Sequence, residues 1–204
     1  MLRDDAVALI NQRLQHTDTA PVVLALQQAQ VSLEIGAFDP WFLEDSAPLA
    51  TTSGSRAVAL PNDFLREIEG DPLVYVDSNG NAKELVKDDA WAGKERYTTP
   101  GDPKAYYLRG DSLIVLPTPD AVFNLTLPYI AKDSVLGANV ENRWLKNGTF
   151  WIIGIAGAMR SHDLRDEASK TWFSNMAQAG RESVERATSA RRHVNHTYQF
   201  GGED

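Results

Sequence analysis

Tyr106-Tyr107-Leu108-Arg109-Gly110-Asp111-Ser112-Leu113-Ile114-Val115-Leu116-Pro117-Thr118-Pro119 decides the class of fold. Tyr106 to Leu108 and Ser112 to Leu116 carry the aromatic and β-branched residues that favour strands, and Arg109-Gly110-Asp111 between them is turn chemistry. The same tripeptide occurs in adhesion ligands, but between two strands it reads as a hairpin turn. Pro117-Thr118-Pro119-Asp120 ends the second strand, and Val122 to Ile130 reads as a third, so a β-meander is expected. Pro128 lacks a donor N–H, which predicts that the third strand lies at an edge or carries a bulge.

Upstream, Val58 to Leu60 and Leu73 to Val76 are further short strands, and Asp77-Ser78-Asn79-Gly80 supplies an Asn-Gly reversal. Lys83 to Trp91 reads as a short helix. On both sides of this β-rich stretch, about 58–130, the period changes from two to between three and four. Leu2, Ala6, Leu9, Ile10 and Leu14 predict a helix over about 3–16, with Asp4 and Asp5 at its positive end. Thr19 as cap, Pro21 in the first turn and the stripe Val22, Leu26, Ala29, Leu33 predict a second over about 20–36. Asp39-Pro40, Ala47-Pro48 and Thr51-Thr52-Ser53-Gly54 make Phe38 to Ser55 a long connector.

After Lys132 the helical period returns. Trp144, Phe150, Trp151, Ile155 and Met159 predict a helix over about 141–164, and Gly148, Gly154, Ala156, Gly157 and Ala158 offer small surfaces where another backbone can approach. A last helix is expected over about 166–188, with Ala168, Trp172, Met176 and Ala179 on its packed side and Gly180 weakening its middle. Residues 189–204 show no clear period and are expected to be an extended arm that a partner orders. The reading is α+β: a bundle of amino- and carboxy-terminal helices within one domain, residues 1–188, interrupted by an antiparallel β-rich insertion and followed by the arm.

Composition narrows the function. The chain has 204 residues, 43% hydrophobic and 24% charged, the make-up of a protein able to bury an ordinary core. It has no cysteine, which excludes disulfides, thiolate nucleophiles and cysteine-based metal sites and fits a reducing cytoplasm. The longest apolar run, Phe150 to Met159, is about half of what a membrane-spanning helix needs, and Met1-Leu2-Arg3-Asp4-Asp5 lacks the basic start of an export signal. A net charge of −8 opposes non-specific adhesion to nucleic acid, because phosphate affinity comes from Lys and Arg releasing counterions. A DNA-binding regulator is therefore disfavoured.

Catalytic constellations are scarce. The four histidines are His16, His162, His193 and His196, and the last two stand three apart with no third ligand in a zinc-hydrolase pattern. His162 with Asp163, Asp166 and Glu167 is the densest set of oxygen and nitrogen ligands, and it defines the alternative reading, a small metal-dependent hydrolase. The competing reading places those acids at the start of the following helix, where they complement its dipole. Asp4 with Asp5, Glu44 with Asp45 and Asp88 with Asp89 read as solvated faces. There is no phosphate-cradling glycine loop with Lys-Ser/Thr and no serine nucleophile elbow, and Gly154-x-x-Gly157 reads as helix packing. No enzyme, metal or cofactor is expected on these residues. Tyr198 and Phe200, outside the packed helices, read as aromatic anchors for another chain.

The order of segments is specific. Two amino-terminal helices, an aromatic connector, Leu60-Pro61-Asn62-Asp63-Phe64-Leu65, Tyr106-Tyr107-Leu108, Leu113-Ile114-Val115-Leu116-Pro117-Thr118-Pro119, Leu125-Thr126-Leu127-Pro128-Tyr129-Ile130 and a terminal helical pair together resemble the head-to-tail adaptor proteins of tailed bacteriophages. The likeness spans most of the chain, except the final arm and the stretch from Asp77 to Pro103. It implies a structural virion protein forming a ring, typically of twelve copies. The ring would sit between the portal vertex and the tail or nozzle proteins, and DNA would pass through its channel without sequence-specific binding. The arm itself is read from its residues as a docking element, with Arg191 and Arg192 forming charge-assisted bonds to a neighbouring ring and Tyr198 and Phe200 buried there, and the resemblance implies that the portal is the acceptor.

Overall fold

A computed structural model of the chain describes residues 1–36, 38–77, 79–88 and 96–199, with side chains described as far as residue 192. The architecture is α+β, and the chain divides into two compact units, Met1–Leu43 with Lys132–Asp204, and Glu44–Ala131.

The first unit is helical. Helix α1, Arg3–Leu14, carries Asp4 and Asp5 in its first turn and ends at Gln15, whose φ of 55° turns the chain out of the helix. Helix α2, Ala20–Ile35, begins with Pro21 in its first turn, as its sequence predicts. Thr19 occupies the cap position without a side-chain hydrogen bond, because its own backbone is already helical and does not aim the hydroxyl at the free N–H groups. A single 3₁₀ turn, Trp41–Leu43, follows.

The helix expected over 141–164 is two: α3, Arg143–Asn147, and α4, Thr149–Asp163, separated at Gly148, whose ψ of 28° leaves the helical range. Helix α3 has its own start, since the Asn142 side chain accepts the Leu145 N–H at 2.9 Å and the Asp133 carboxylate accepts the Trp144 N–H at 3.0 Å.

Helix α5 spans Glu167–Gln199 and differs from expectation in two ways. Its buried side is Ser169, Phe173, Gly180, Val184 and Thr188, one position away from the stripe read in the sequence, while Trp172 is 41% exposed. The cause is the seam with α4. A Cβ on Gly154 would lie 2.4 Å from the Ala177 backbone nitrogen, and one on Gly180 would lie 2.4 Å from that of Trp151. Gly180 is thus a contact point and not only a weak spot. At Gly157 the Phe173 ring fills the space where a side chain would stand. The helix also continues well past residue 188, so residues 189–199 are not an extended arm; residues 200–204 lie outside the described residues. Its extension rests on Trp41 and Asp39, contacts that no local period reveals.

The second unit packs two sheets. One has the order β1-β9-β4-β5, with β3 also on β9, and the other β2-β8-β7-β6. The strands are β1 Glu44–Ala50, β2 Ala57–Ala59, β3 Phe64–Glu67, β4 Val74–Val76, β5 Ala82–Glu84, β6 Val86–Lys87, β7 Ala105–Arg109, β8 Ser112–Leu116 and β9 Asn124–Ala131. Leu73, Tyr75, Leu125, Leu127 and Tyr129 of one sheet meet Val58, Tyr106, Leu113 and Val115 of the other in a shared core. The Gly110-Asp111 reversal joins β7 to β8 as expected, Gly110 having a φ of 57°.

Four readings need correction. The connector from Phe38 to Ser55 contains β1, because all of Glu44–Ala50 pairs with β9 and long-range pairing overrides the low strand preference of these residues. The meander breaks after β8, since the Pro117-Thr118-Pro119 segment carries the chain to the other sheet. Lys83 to Lys87 is not helical: Ala82–Glu84 folds back on β4 around the Asn79-Gly80 turn, and Val86–Lys87 runs parallel to β7. Asp89 to Trp91, the rest of that expected helix, lies outside the described residues. Finally, Pro128 lies in a central strand. It faces Ser46 on one flank. On the other flank β3 pairs only as far as Tyr129 and β4 begins at Thr126, so no ladder there requires its missing N–H.

Candidate assembly surfaces

Within the helical unit, α2 packs on α1 and α4, and its inward residues Val22, Ala25, Leu26, Ala29 and Leu33 are buried. Its outward side is unusual. Leu24 is 55% exposed, Val31 51% and Ile35 76%, and Gln28 and Ser32 lie exposed between them. The only charged residue of the helix, Glu34, is buried. A surface helix normally sets charged residues opposite its packed stripe, so α2 has the composition of a helix covered on all sides.

Glu34 is buried because it organises the chain beyond the β unit. Its Oε1 accepts the Gln30 side-chain amide at 2.8 Å and the Asp133 N–H at 3.2 Å. The Gln30 amide also reaches the Ser134 carbonyl at 3.2 Å, and Asn142 donates to Gln30 Oε1 at 3.2 Å. This network ties α2 to the segment that starts α3. It was not read from the sequence, since its members are more than ninety positions apart; the lone acid in an otherwise apolar helix was the available signal.

A groove of about 370 Å³ runs along the α4–α5 seam, lined by Trp151, Ile155, Ala158, Met159, Ala177 and Arg181 among others. Arg181 Nε donates to Glu185 Oε1 at 2.6 Å, so the one cation there is already paired.

Of the residues expected to contact a partner, Arg191 lies over the Trp41 ring, 3.4 Å from its centroid, and Arg192 donates to the Asp39 carbonyl at 3.3 Å. Thr188 Oγ1 accepts the Trp41 N–H at 3.3 Å. These contacts seat the carboxy-terminal third of α5 on the aromatic cluster in which Phe42 and Trp144 pack edge to face at 5.0 Å. Tyr198 lies on helical backbone near the end of α5, and Phe200 lies outside the described residues.

The residues of the alternative hydrolase reading do not converge. His162 is exposed on α4, Asp163 accepts from Arg160 at 2.9 Å, Glu167 pairs with Lys170, and Asp166 accepts the Ser169 N–H at 3.0 Å. Hydrogen bonds from Ser169 hold the Asp166 carboxyl below the usual range, as suits a helix-starting acid. His16 is exposed after α1, and His193 and His196 have no described side chains. Among the described residues no three His, Cys, Asp or Glu groups gather as a metal site.

In the β unit, an open depression is lined by Arg66, Glu67, Leu85, Lys87 and Tyr106. Tyr106 donates to Glu67 at 2.6 Å, and Lys87 pairs with the same carboxylate. Burial, with the Glu67 contact, pushes the Tyr106 phenol up, so this hydroxyl is a structural donor.

Comparison with known proteins places these surfaces in context. Residues 2–196 match the family described as SU10 adaptor protein. No curated protein matches the chain.

Proposed function

The chain belongs to the SU10 adaptor protein family, a family of structural bacteriophage adaptors, and from that premise we propose that it forms the ring joining the portal vertex to the tail. Twelve copies surround a channel, portal protein lies on one side and tail or nozzle proteins on the other, and DNA passes through. The observation that supports self-assembly is the uncharged outward side of α2, which a protein of net charge −8 keeps free of charge. The overall acidity suits a conduit, because acidic walls repel the phosphate backbone and limit adhesion during passage.

The carboxy-terminal segment docks on the portal in this proposal. Arg191 and Arg192 already hold α5 against Trp41 and Asp39, so their part is to fix the direction in which Tyr198 and Phe200 are presented. The test is a chain ending at Arg192, compared with Tyr198→Ala/Phe200→Ala, in equilibrium binding to portal protein at two salt concentrations. Both variants should fold and bind more weakly, with the loss insensitive to salt because it is apolar. Unchanged affinity in both overturns the docking role.

A further inference from the structure

We propose that neighbouring copies meet head to tail, the outward side of α2 of one copy lying in the α4–α5 groove of the next. The inference rests on the ring reading and deepens it by naming both surfaces. Leu24, Val31 and Ile35 follow the i, i+7, i+11 spacing of a helix that presents anchors to a groove, and they extend over about 16 Å of axis. Their exposed apolar surface is on the order of 300 Å², within the range of the largest apolar patch on a typical monomer, which is often functional.

Charge selects the occupant. Helix α2 has no Lys or Arg, so it offers nothing to phosphates of nucleic acid or of anionic lipid. A convex stripe cannot enclose a small molecule, which requires a concave site. It fits a concave, neutral protein surface, and the chain itself supplies one: the groove is lined by Trp151, Ile155, Ala158 and Met159, and its single cation is matched by Glu185. Both surfaces are neutral, so neither forces a buried, unpaired charge on the other. The stripe forms the apolar core of the contact, and Gln27, Gln28 and Ser32 form its polar rim.

The two surfaces share no residue. A contact between different patches is heterologous, and repeated by a rotation that closes it generates a ring, whereas a patch meeting its own copy stops at a dimer.

The chain contains no cysteine, so every introduced thiol is unique. Single variants Leu24→Cys, Val31→Cys and Ile35→Cys are mixed pairwise with Ile155→Cys, Ala158→Cys and Met159→Cys under mild oxidation, in the presence of portal protein, and disulfide-linked dimers are read on non-reducing gels. At least one mixed pair is expected to cross-link efficiently, each single variant alone is expected not to, and Val31→Glu is expected to weaken assembly more than about tenfold. Circular dichroism confirms that each variant is folded. Self-linking of the α2 variants alone overturns the proposal in favour of an isologous contact. Rings seen by light scattering without any mixed cross-link overturn this contact while leaving the ring intact. Failure of the unmodified chain to oligomerise with portal overturns both.

Discussion

Replacing Gly154 or Gly180 by alanine sets two opposing effects against each other, and the structure says which prevails. In a helix interior alanine is favoured over glycine by about 1 kcal/mol, so an unhindered site would gain stability. At Gly154 the new Cβ would stand 2.4 Å from the Ala177 nitrogen and 2.7 Å from its Cα; at Gly180 it would stand 2.4 Å from the Trp151 nitrogen and 2.7 Å from the Phe150 carbonyl carbon. The obstructing atoms are backbone, so relief requires moving the α4 and α5 axes apart by about 1 Å, which loosens the dense packing along the seam. Overpacking of this kind costs about 1–3 kcal/mol or more, and with a whole helix displaced the upper end applies. The expected net destabilisation is about 2 kcal/mol, or a fall in Tm of about 4–8 °C for a chain of this length. Urea and thermal unfolding followed by circular dichroism measure it, with Ala179→Gly on the exposed side of α5 as a control that should lose only about 1 kcal/mol. If either alanine variant proves more stable than the parent, the close approach of the two helices is not as described.

Other outcomes are equally specific. Asp77 accepts the Asn79 and Asn81 N–H groups at 2.9 Å and pairs with Lys83 at 3.0 Å, and the Asn81 N–H above all holds its carboxyl down at about 2. Because that lies below the unfolded value of about 3.9, its stabilisation is complete above about pH 5 and is lost as pH falls through about 4 to 2; Asp77→Asn should flatten acid unfolding in that window. Glu34→Ala leaves the Asp133 N–H without its buried acceptor and removes one of the acceptors of the Gln30 amide, and should cost about 1–3 kcal/mol in urea unfolding. A double-mutant cycle of Arg191→Ala with Trp41→Leu should return a coupling of about 0.5–1 kcal/mol, and a value near zero would remove the cation–π contact from the account.

Much of the fold was legible because its signals are local. The Gly110-Asp111 and Asn79-Gly80 reversals, the two strands joined by the first, the strand that enters the second and the limits of α1 and α2 follow from turn chemistry and period. What escaped depends on distant partners. Glu44–Ala50 becomes a strand only because β9 accepts it, and β9 tolerates Pro128 only because β3 and β4 leave a gap beside it. The register of α5 is fixed by where Gly154, Gly157 and Gly180 admit their neighbours, and its length past residue 188 by Trp41 and Asp39, some 150 positions earlier. The outward side of α2 was present in the sequence as sixteen residues with a single charge, but the inward stripe alone explained their helicity, and the unexplained apolar remainder became visible only once Glu34 proved to be buried.

The central claim, that this chain is an adaptor that assembles around the portal, is tested most directly by native mass spectrometry of the purified chain mixed with portal protein. The account predicts a discrete complex in which twelve adaptor chains are bound to one portal ring, with few partly filled rings because each added copy completes a contact for its neighbour. Portal that remains bare beside free adaptor chains, or that binds scattered single copies without progression to a closed set, would contradict it.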